Sequence, residues 1–205
     1  MTALAQTIAG RSATRSSAMT DVLLVVAGSL VVAGLAQVSI SLLPFTPVPI
    51  TLQTLGVLVV GGALGAVRGG AALGLYLVEG LVGLPFYAEG ESMPELLDRY
   101  NGFTSVPTGG YLIGFVIAAV VVGYLAERGW DRSPKSAISA MLLGQVITFT
   151  IGVAWLANAL SVSGEKALEF GLYPFVIWDV IKLFLAAGLL PLAWKLIGKE
   201  RTFRR

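Results

Sequence analysis

The sequence predicts an all-α integral membrane protein, with six transmembrane helices in one bundle and both termini in the cytoplasm. Hydrophobic residues make up 56% of the 205 residues and charged residues only 13%, about half the charged fraction of a soluble domain. The apolar residues fall into long runs that are separated by turns and polar segments. Most Lys and Arg residues lie in the segments that would face one side of the membrane. Together these observations predict a multi-pass membrane protein.

The first part of the chain contains two apolar runs that are predicted as spans. Residues 1–20 are polar, and we expect them to be a flexible cytoplasmic tail. The run at 21–43 is too long for the core of a cleaved signal peptide, so it is predicted as the first span. Three prolines between Pro44 and Pro49 end that span, and the second is predicted at 50–67.

The rest of the chain adds four further spans. The stretch Arg68-Gly69-Gly70 predicts a tight turn before the third span at 71–84. The longest connection, 85–108, is acidic, and Pro94 at an early position favours a short helix at 93–97. The fourth, fifth and sixth spans are predicted at 109–126, 136–160 and 172–197. Residues 21–198 would thus form a single membrane domain, followed by a basic cytoplasmic tail, 199–205.

The distribution of positive charge gives the orientation. Six spans leave Arg99 and Lys166 on one side and Lys182 inside the membrane. The other eleven of the fourteen basic residues face the opposite side: Arg11, Arg15, Arg68, Arg128, Arg132, Lys135, Lys195, Lys199, Arg201, Arg204 and Arg205. Because basic loops stay inside the cell, this side is predicted to be cytoplasmic.

Several classes of function are disfavoured by the composition. The chain has no Cys and no His, which excludes Cys- or His-based nucleophilic catalysis and imidazole or thiolate metal ligands. The sequence contains no Gly-rich loop with a Lys that would bind nucleotide phosphates. It also contains no basic patch with interleaved aromatic residues, which would indicate binding to nucleic acid. We therefore expect neither an enzyme nor a resident cofactor or metal.

The last apolar run carries an unusual pair of charges. Asp179 and Lys182 are the only charged residues between Glu169 and Lys195, and a charge at membrane depth costs on the order of 3 kcal/mol. Their spacing of three places them on one helix face, about 10 Å below the outer surface at a rise of about 1.5 Å per residue. A purely structural ion pair is one interpretation. The other is a binding pair, for a ligand with N–H donors and an acceptor.

Other polar residues are predicted at the same outer level of the bundle. They belong to the starts of the second and fourth spans, the outer half of the third span and the loop before the fourth. Tyr supplies flat walls and a hydroxyl, and Gln supplies both a donor and an acceptor. The candidate binding residues are Thr51, Gln53, Tyr76, Asn101, Thr108, Gly110 and Tyr111.

Four motifs, in order along the chain, resemble one known family. They are PVPITLQTLG at Pro47–Gly56, GLPF at Gly83–Phe86, PTGGYLIGF at Pro107–Phe115 and DVIK at Asp179–Lys182. This combination is similar to the BioY family, the biotin-specific substrate-binding components of energy-coupling-factor (ECF) transporters. The resemblance covers nearly all of the chain after residue 20.

The resemblance implies a six-helix protein of the bacterial cell membrane that captures biotin from outside. Surrounded by lipid, it would work with a membrane coupling subunit and two ATPase subunits. Asp179 would accept hydrogen bonds from the ureido N–H groups, and Lys182 would bond the ureido carbonyl or balance the charge. Gly110 would allow close approach of the ligand and Tyr111 would form a wall.

Some details of the resemblance leave alternatives open. Gln53 or Asn101 would receive the carboxylate of the biotin tail. Members of the wider class carry an Ala-x-x-x-Ala pattern in the first helix for docking, whereas this chain has only Ser29 and Ala33 at that spacing. The alternatives are the same fold serving another small vitamin, or a secondary transporter that works without ATPase partners.

Overall fold

The computed structural model describes Leu4 and residues 18–203, with side chains as far as residue 196. The predicted tail at 1–20 lies almost wholly outside the described residues. The described part is mainly helical, and two short strands, β1 (Ser39–Ile40) and β2 (Ile50–Thr51), pair antiparallel. Its α-helices are α1 (Ala18–Ala36), α2 (Gln53–Leu64), α3 (Ala66–Leu81), α4 (Met93–Tyr100), α5 (Gly109–Glu127), α6 (Pro134–Ala159), α7 (Gly164–Gly171) and α8 (Val176–Phe203).

Four of the described helices are long and apolar enough to cross a membrane: α1, α5, α6 and Val176–Leu196 of α8. The predicted fourth and fifth spans agree with α5 and α6 to within two residues. The sixth begins later than predicted and its helix continues through the predicted basic tail as far as Phe203.

The second span differs from its prediction. Helix α2 has 12 residues and is about 18 Å long at 1.5 Å per residue, shorter than the roughly 30 Å hydrocarbon core. Residues 50 and 51, predicted as its start, instead form β2, whose pairing with β1 closes the proline-rich turn. The first span is shortened for the same reason, because its predicted end supplies β1.

The turn predicted at Arg68–Gly70 was wrong, because the chain breaks at Gly65. Gly65 has φ 84°, a conformation that glycine adopts without a Cβ penalty. Helices α2 and α3 approach so closely there that a Cβ on Gly69 would lie 2.9 Å from the Cα of Gly61. The carboxylate of Glu127 on α5 accepts the Ala66 N–H at 3.1 Å, which satisfies one free amide at the start of α3.

Helix α5 lies at the centre of the bundle, in contact with α2, α3 and α6. Small residues allow this packing. A Cβ on Gly114 would lie 3.1 Å from the Cα of Thr148, and one on Gly123 would lie 2.4 Å from the carbonyl carbon of Gly65. Close backbone approach through small residues is typical of helix association in lipid.

Two short helices cover one end of the bundle. The short helix predicted at 93–97 is confirmed as α4, whose N-terminus has a capping box formed by Ser92 and Glu95. Helix α7 lies in the linker before α8, where only a polar connection was predicted. The hydroxyl of Thr46 donates to the carbonyl oxygen of Phe170 at 2.7 Å, so the proline-rich turn is held against α7.

Candidate binding site

A cavity lies at the end of the bundle where α4, α7 and the proline-rich turn meet. It encloses about 960 Å³, including space open to solvent at its mouth. Its walls come from residues 41–54, the loop before α4, α4 itself, the first turns of α5, Phe149 of α6 and the start of α8. Segments that are distant in sequence therefore converge on one chamber.

Asp179 and Lys182 lie on the wall of this cavity, and both are buried, with 3% and 4% of their surface exposed. Their three-residue spacing in α8 brings Lys182 Nζ to 2.9 Å from Asp179 Oδ1. Lys182 also donates to the main-chain oxygen of Thr51 at 2.8 Å. Two of its three N–H donors are thus used, and the ammonium is held between α8 and β2.

The Asp179 carboxylate is held on one side only. The hydroxyl of Thr54 donates to Oδ1 at 2.5 Å, and the Gln145 amide of α6 donates to the main-chain oxygen of Asp179 at 2.8 Å. Oδ2 is buried and accepts no hydrogen bond from any described residue. A buried carboxylate oxygen without a donor is unfavourable, so this atom is suited to accept an N–H from a ligand.

Thr51 and Gln53 form a small polar network behind the ion pair. The Thr51 hydroxyl donates to Gln53 Oε1 at 2.9 Å, and Gln53 Nε2 donates to the Tyr76 hydroxyl at 2.5 Å. Tyr76 is only 1% exposed and reaches this network from α3. The network fixes the amide of Gln53, whose residue lies on the cavity wall.

Aromatic side chains form the apolar part of the chamber. Tyr111 and Phe149 meet edge to face with their ring centroids 6.2 Å apart, and Phe149 lies 6.3 Å from Phe175. The Tyr111 hydroxyl donates to the main-chain oxygen of Gly171 at 2.7 Å. This bond ties α5 to the end of α7 and fixes the Tyr111 ring on the cavity wall.

The loop before α4 is anchored by partly buried hydrogen bonds. The hydroxyl of Tyr87 donates to the Leu77 carbonyl oxygen at 2.7 Å, and the Gln37 amide donates to the Tyr87 carbonyl oxygen at 3.2 Å. Burial raises the pKa of the Tyr87 phenol, so it remains a neutral donor. Beyond this anchor, Arg99 of α4 forms an ion pair with Glu91, and both residues line the cavity.

A model of the BioY family matches residues 7–199 of the chain. The chain belongs to the BioY family. "Biotin transporter BioY" of Rhizobium etli is 36% identical over 164 residues, which cover 74% of this chain and 83% of the relative. "Biotin transporter BioY" of Thermotoga maritima is 36% identical over 159 residues, covering 78% and 88%.

The fold of this BioY chain is also found in a solved structure, "Crystal structure at 2.1 A of the S-component for biotin from an ECF-type ABC transporter". The two superpose with a TM-score of 0.72 at 22% identity, over 88% of this chain and 95% of that one. The match shows that the two chains share a fold.

The structure brings most of the predicted residues of this BioY chain to the cavity wall. Six line it: Thr51, Gln53, Thr108, Tyr111, Asp179 and Lys182. Tyr76 lies behind Gln53. Asn101 ends α4 in the left-handed conformation, with φ 56°. Gly110 faces α6, where an added Cβ would lie 2.2 Å from the Cβ of Trp155. The glycine therefore allows close approach of helix α6, whereas close approach of the ligand was predicted.

Sequence reasoning missed four residues that the geometry brings to the site. Thr54 and Gln145 hold Asp179, and Glu91 and Arg99 form a second ion pair on the wall. Thr54 and Gln145 give no local signal, because their partner is more than 30 residues away. Arg99 does have a local sequence signal, since it is the only basic residue in the acidic connection at 85–108. Among the described residues no group of three carboxylate, His or Cys side chains forms a metal site.

Proposed function

We propose that this chain captures biotin outside the cell and carries it across the membrane as the substrate-binding component of an ECF transporter. The observation that carries the proposal is the buried Asp179–Lys182 pair on the cavity wall, with Asp179 Oδ2 left without a donor. The family membership and the names of the two relatives support the choice of ligand.

Biotin's ureido ring matches the donors and acceptors of this pair. The ring presents two N–H donors and one carbonyl oxygen. Asp179 Oδ2 would accept an N–H, and the third N–H of the Lys182 ammonium would donate to the carbonyl oxygen. The bonds that Thr54 and Thr51 make to the pair keep both groups in place, so little side-chain entropy is lost on binding.

The remaining parts of the ligand fit the other walls. The apolar ring fused to the ureido group would lie against Tyr111, Phe149 and Phe175. The tail carboxylate would bind Arg99, because a guanidinium presents several N–H donors in a geometry suited to carboxylates. Of the two residues predicted for this role, Gln53 already uses its amide on Thr51 and Tyr76. Asn101 is not among the residues that line the cavity.

The membrane arrangement in this proposal has six spanning segments, namely α1, α2, α3, α5, α6 and α8, with both termini in the cytoplasm of a bacterial cell. Support comes from the distribution of Lys and Arg and from α2 and α3, which form a close helical hairpin around Gly65. The cavity end of the bundle then faces outward, so the site is accessible to external biotin.

Energy for transport would come from a membrane coupling subunit and two ATPase subunits. The chain has no phosphate-binding loop of its own, and its fold is that of the biotin S-component. In this arrangement the chain binds and carries biotin without chemical turnover.

Binding and transport are tested separately. The purified chain is titrated with biotin, thiamine and riboflavin by calorimetry, and only biotin should bind tightly. Asp179→Asn should weaken biotin binding at least about tenfold, since a ureido N–H would lose its charged acceptor.

The chain is then reconstituted into liposomes with and without the energising subunits. Tight binding of another vitamin in place of biotin would refute the choice of ligand. Uptake that needs no ATPase but collapses with the proton gradient would refute the ECF role.

A further inference from the structure

Arg99 already has a carboxylate partner within the protein. Its Nη1 donates to Oε1 of Glu91, and this pair lies at the solvent-exposed side of the chamber, where the side chains of Arg99 and Glu91 are 55% and 20% exposed. The bond to Glu91 raises the pKa of the Arg99 guanidinium, which stays charged in any case. A ligand carboxylate that approaches Arg99 therefore meets another carboxylate there first.

The charges that line the cavity strengthen this competition between carboxylates for Arg99. Its described lining contains three carboxylates, Glu89, Glu91 and Asp179, and two cations, Arg99 and Lys182. The formal balance is one negative charge. Lys182 is bound to Asp179 and to the carbonyl of Thr51, so Arg99 is the cation that is accessible to an incoming anion. Two carboxylates around one guanidinium repel each other.

The main chain keeps Glu91 near Arg99. The Tyr87 N–H donates to the Glu91 carbonyl oxygen at 3.0 Å, and the Glu91 N–H donates to the Ala88 carbonyl oxygen at 3.2 Å. The next residue, Ser92, is fixed by the capping box of α4. Glu91 can change its side-chain rotamer, but its backbone cannot retreat without breaking the start of the helix that carries Arg99.

We propose that Glu91 is an internal competitor for Arg99, which an anionic ligand must displace in order to bind. The proposal rests on the proposed function, because it takes the tail carboxylate of biotin as the displacing group. Glu91 then lowers the affinity for the charged ligand and leaves a neutral analogue unaffected. It keeps Arg99 paired until a ligand displaces it and determines how strongly the site distinguishes charged from neutral tails.

The test compares biotin with biotin amide, which has the same rings and an uncharged tail. Both are titrated by calorimetry into the purified full-length chain and its Glu91→Gln variant. The variant should bind biotin about three- to fivefold more tightly, the range for an exposed ion pair worth up to about 1 kcal/mol. Its affinity for biotin amide should change less than twofold. Asp98→Asn removes the same charge from the exposed side of α4, outside the cavity lining, and should change both affinities less than twofold.

A double-mutant cycle separates competition from general repulsion. Arg99→Gln should weaken biotin binding and remove the preference for biotin over biotin amide. In the Arg99→Gln background, Glu91→Gln should give no further gain, because no guanidinium remains to be released. An equal gain in that background would overturn the competition, and so would a Glu91→Gln variant that binds biotin as the parent does or more weakly. Thermal unfolding of each variant checks that it is folded.

The result that would overturn the proposed function differs from the result that would overturn only the role of Glu91. A parent chain that binds neither biotin nor its amide would overturn the proposed function, and the competition with it. A parent chain that binds both, with unchanged affinities in Glu91→Gln, would overturn only the role of Glu91.

Discussion

The hydroxyl of Thr54 on α2 donates to Oδ1 of Asp179 on α8 across 2.5 Å. The same oxygen lies 2.9 Å from the Lys182 ammonium. Both internal donors therefore act on one carboxylate oxygen, and the other remains without a donor among the described residues. The protein thus orients the carboxylate through Oδ1 and leaves the buried Oδ2 without a donor from the described residues, which is how a binding site is preorganised for its ligand.

Replacing Thr54 with Val should weaken biotin binding about tenfold. Valine has a similar shape but no hydroxyl, so a charge-assisted hydrogen bond worth about 1.5 kcal/mol is lost and the carboxylate is less firmly oriented. Thr54→Ser is the matched control, because it keeps the hydroxyl and should bind within about threefold of the parent. Calorimetric titration measures both. A Val variant with parental affinity would show that Asp179 does not need Thr54.

The Asp179–Lys182 pair should show strong coupling in stability. Asp179→Asn leaves a buried ammonium without its counter-ion, and Lys182→Met leaves a buried carboxylate. Each change should cost about 3 kcal/mol, because breaking a buried pair leaves one charge uncompensated. The double variant should be more stable than either single variant, although it should not bind biotin.

Thermal unfolding of the ligand-free protein in detergent measures this cycle. Conservative replacement of an exposed pair, Lys166→Gln with Glu169→Gln, provides the comparison, since that pair joins two exposed side chains and should show coupling below about 1 kcal/mol. Losses at Asp179 and Lys182 that simply add would show that the two charges do not stabilise each other.

The sequence was sufficient for the long apolar helices α5 and α6 and for the short helix α4, but not for α2. Helices α5 and α6 agree with prediction because long apolar runs end at clear polar or proline signals. Helix α2 does not, because the pairing of β2 with β1 takes the first two residues of the apolar run. The break at Gly65 was missed because it depends on close contact between Gly61 and Gly69, which only tertiary packing reveals.

Some residues of the candidate site could likewise be predicted from the sequence, and others could not. Asp179 and Lys182 were predictable because charge is costly in an apolar run and their spacing is local. Gly110 was assigned to the ligand from a motif, whereas the structure places it against Trp155 of α6. Gln145, which bonds the main chain of Asp179, lies on a different helix and has no neighbour in sequence that would identify it.

Gly110→Ala tests the packing role of that glycine. The new Cβ would lie 2.2 Å from the Cβ of Trp155, so α5 and α6 must separate, at a cost of about 1–3 kcal/mol. The melting temperature should fall measurably. Gly74→Ala on α3 is the control, because among the described residues only its own stretch of helix lies within 4 Å of the added Cβ. Equal melting temperatures for Gly110→Ala and the parent would show that α5 and α6 adjust freely at this point.

Asp131→Asn should stabilise the protein at neutral pH. Asp131, in the turn between α5 and α6, is 1% exposed, and its carboxylate accepts a hydrogen bond from the indole of Trp194, over which Arg132 stacks at 4.7 Å. Burial raises the pKa of Asp131 above its ordinary value of 3.8, although the Trp194 bond and Arg132 act in the opposite direction. The folded state therefore binds this proton more tightly than the unfolded state. The contribution of Asp131 to stability falls as the pH rises from the unfolded pKa through the folded one.

Asparagine keeps the acceptor for Trp194 and has no charge to bury. At pH 7.5 the Asp131→Asn variant should melt a few degrees above the parent, since about 1 kcal/mol shifts a chain of this size by roughly 2–4 °C. The difference should shrink as the pH is lowered toward the raised folded-state pKa of Asp131, because the parent's carboxyl then becomes protonated as well. Asp98→Asn on the exposed side of α4 removes the same charge from the surface and should show no such trend. A variant that melts below the parent at pH 7.5 would mean that the attraction of Arg132 outweighs the burial of the carboxylate.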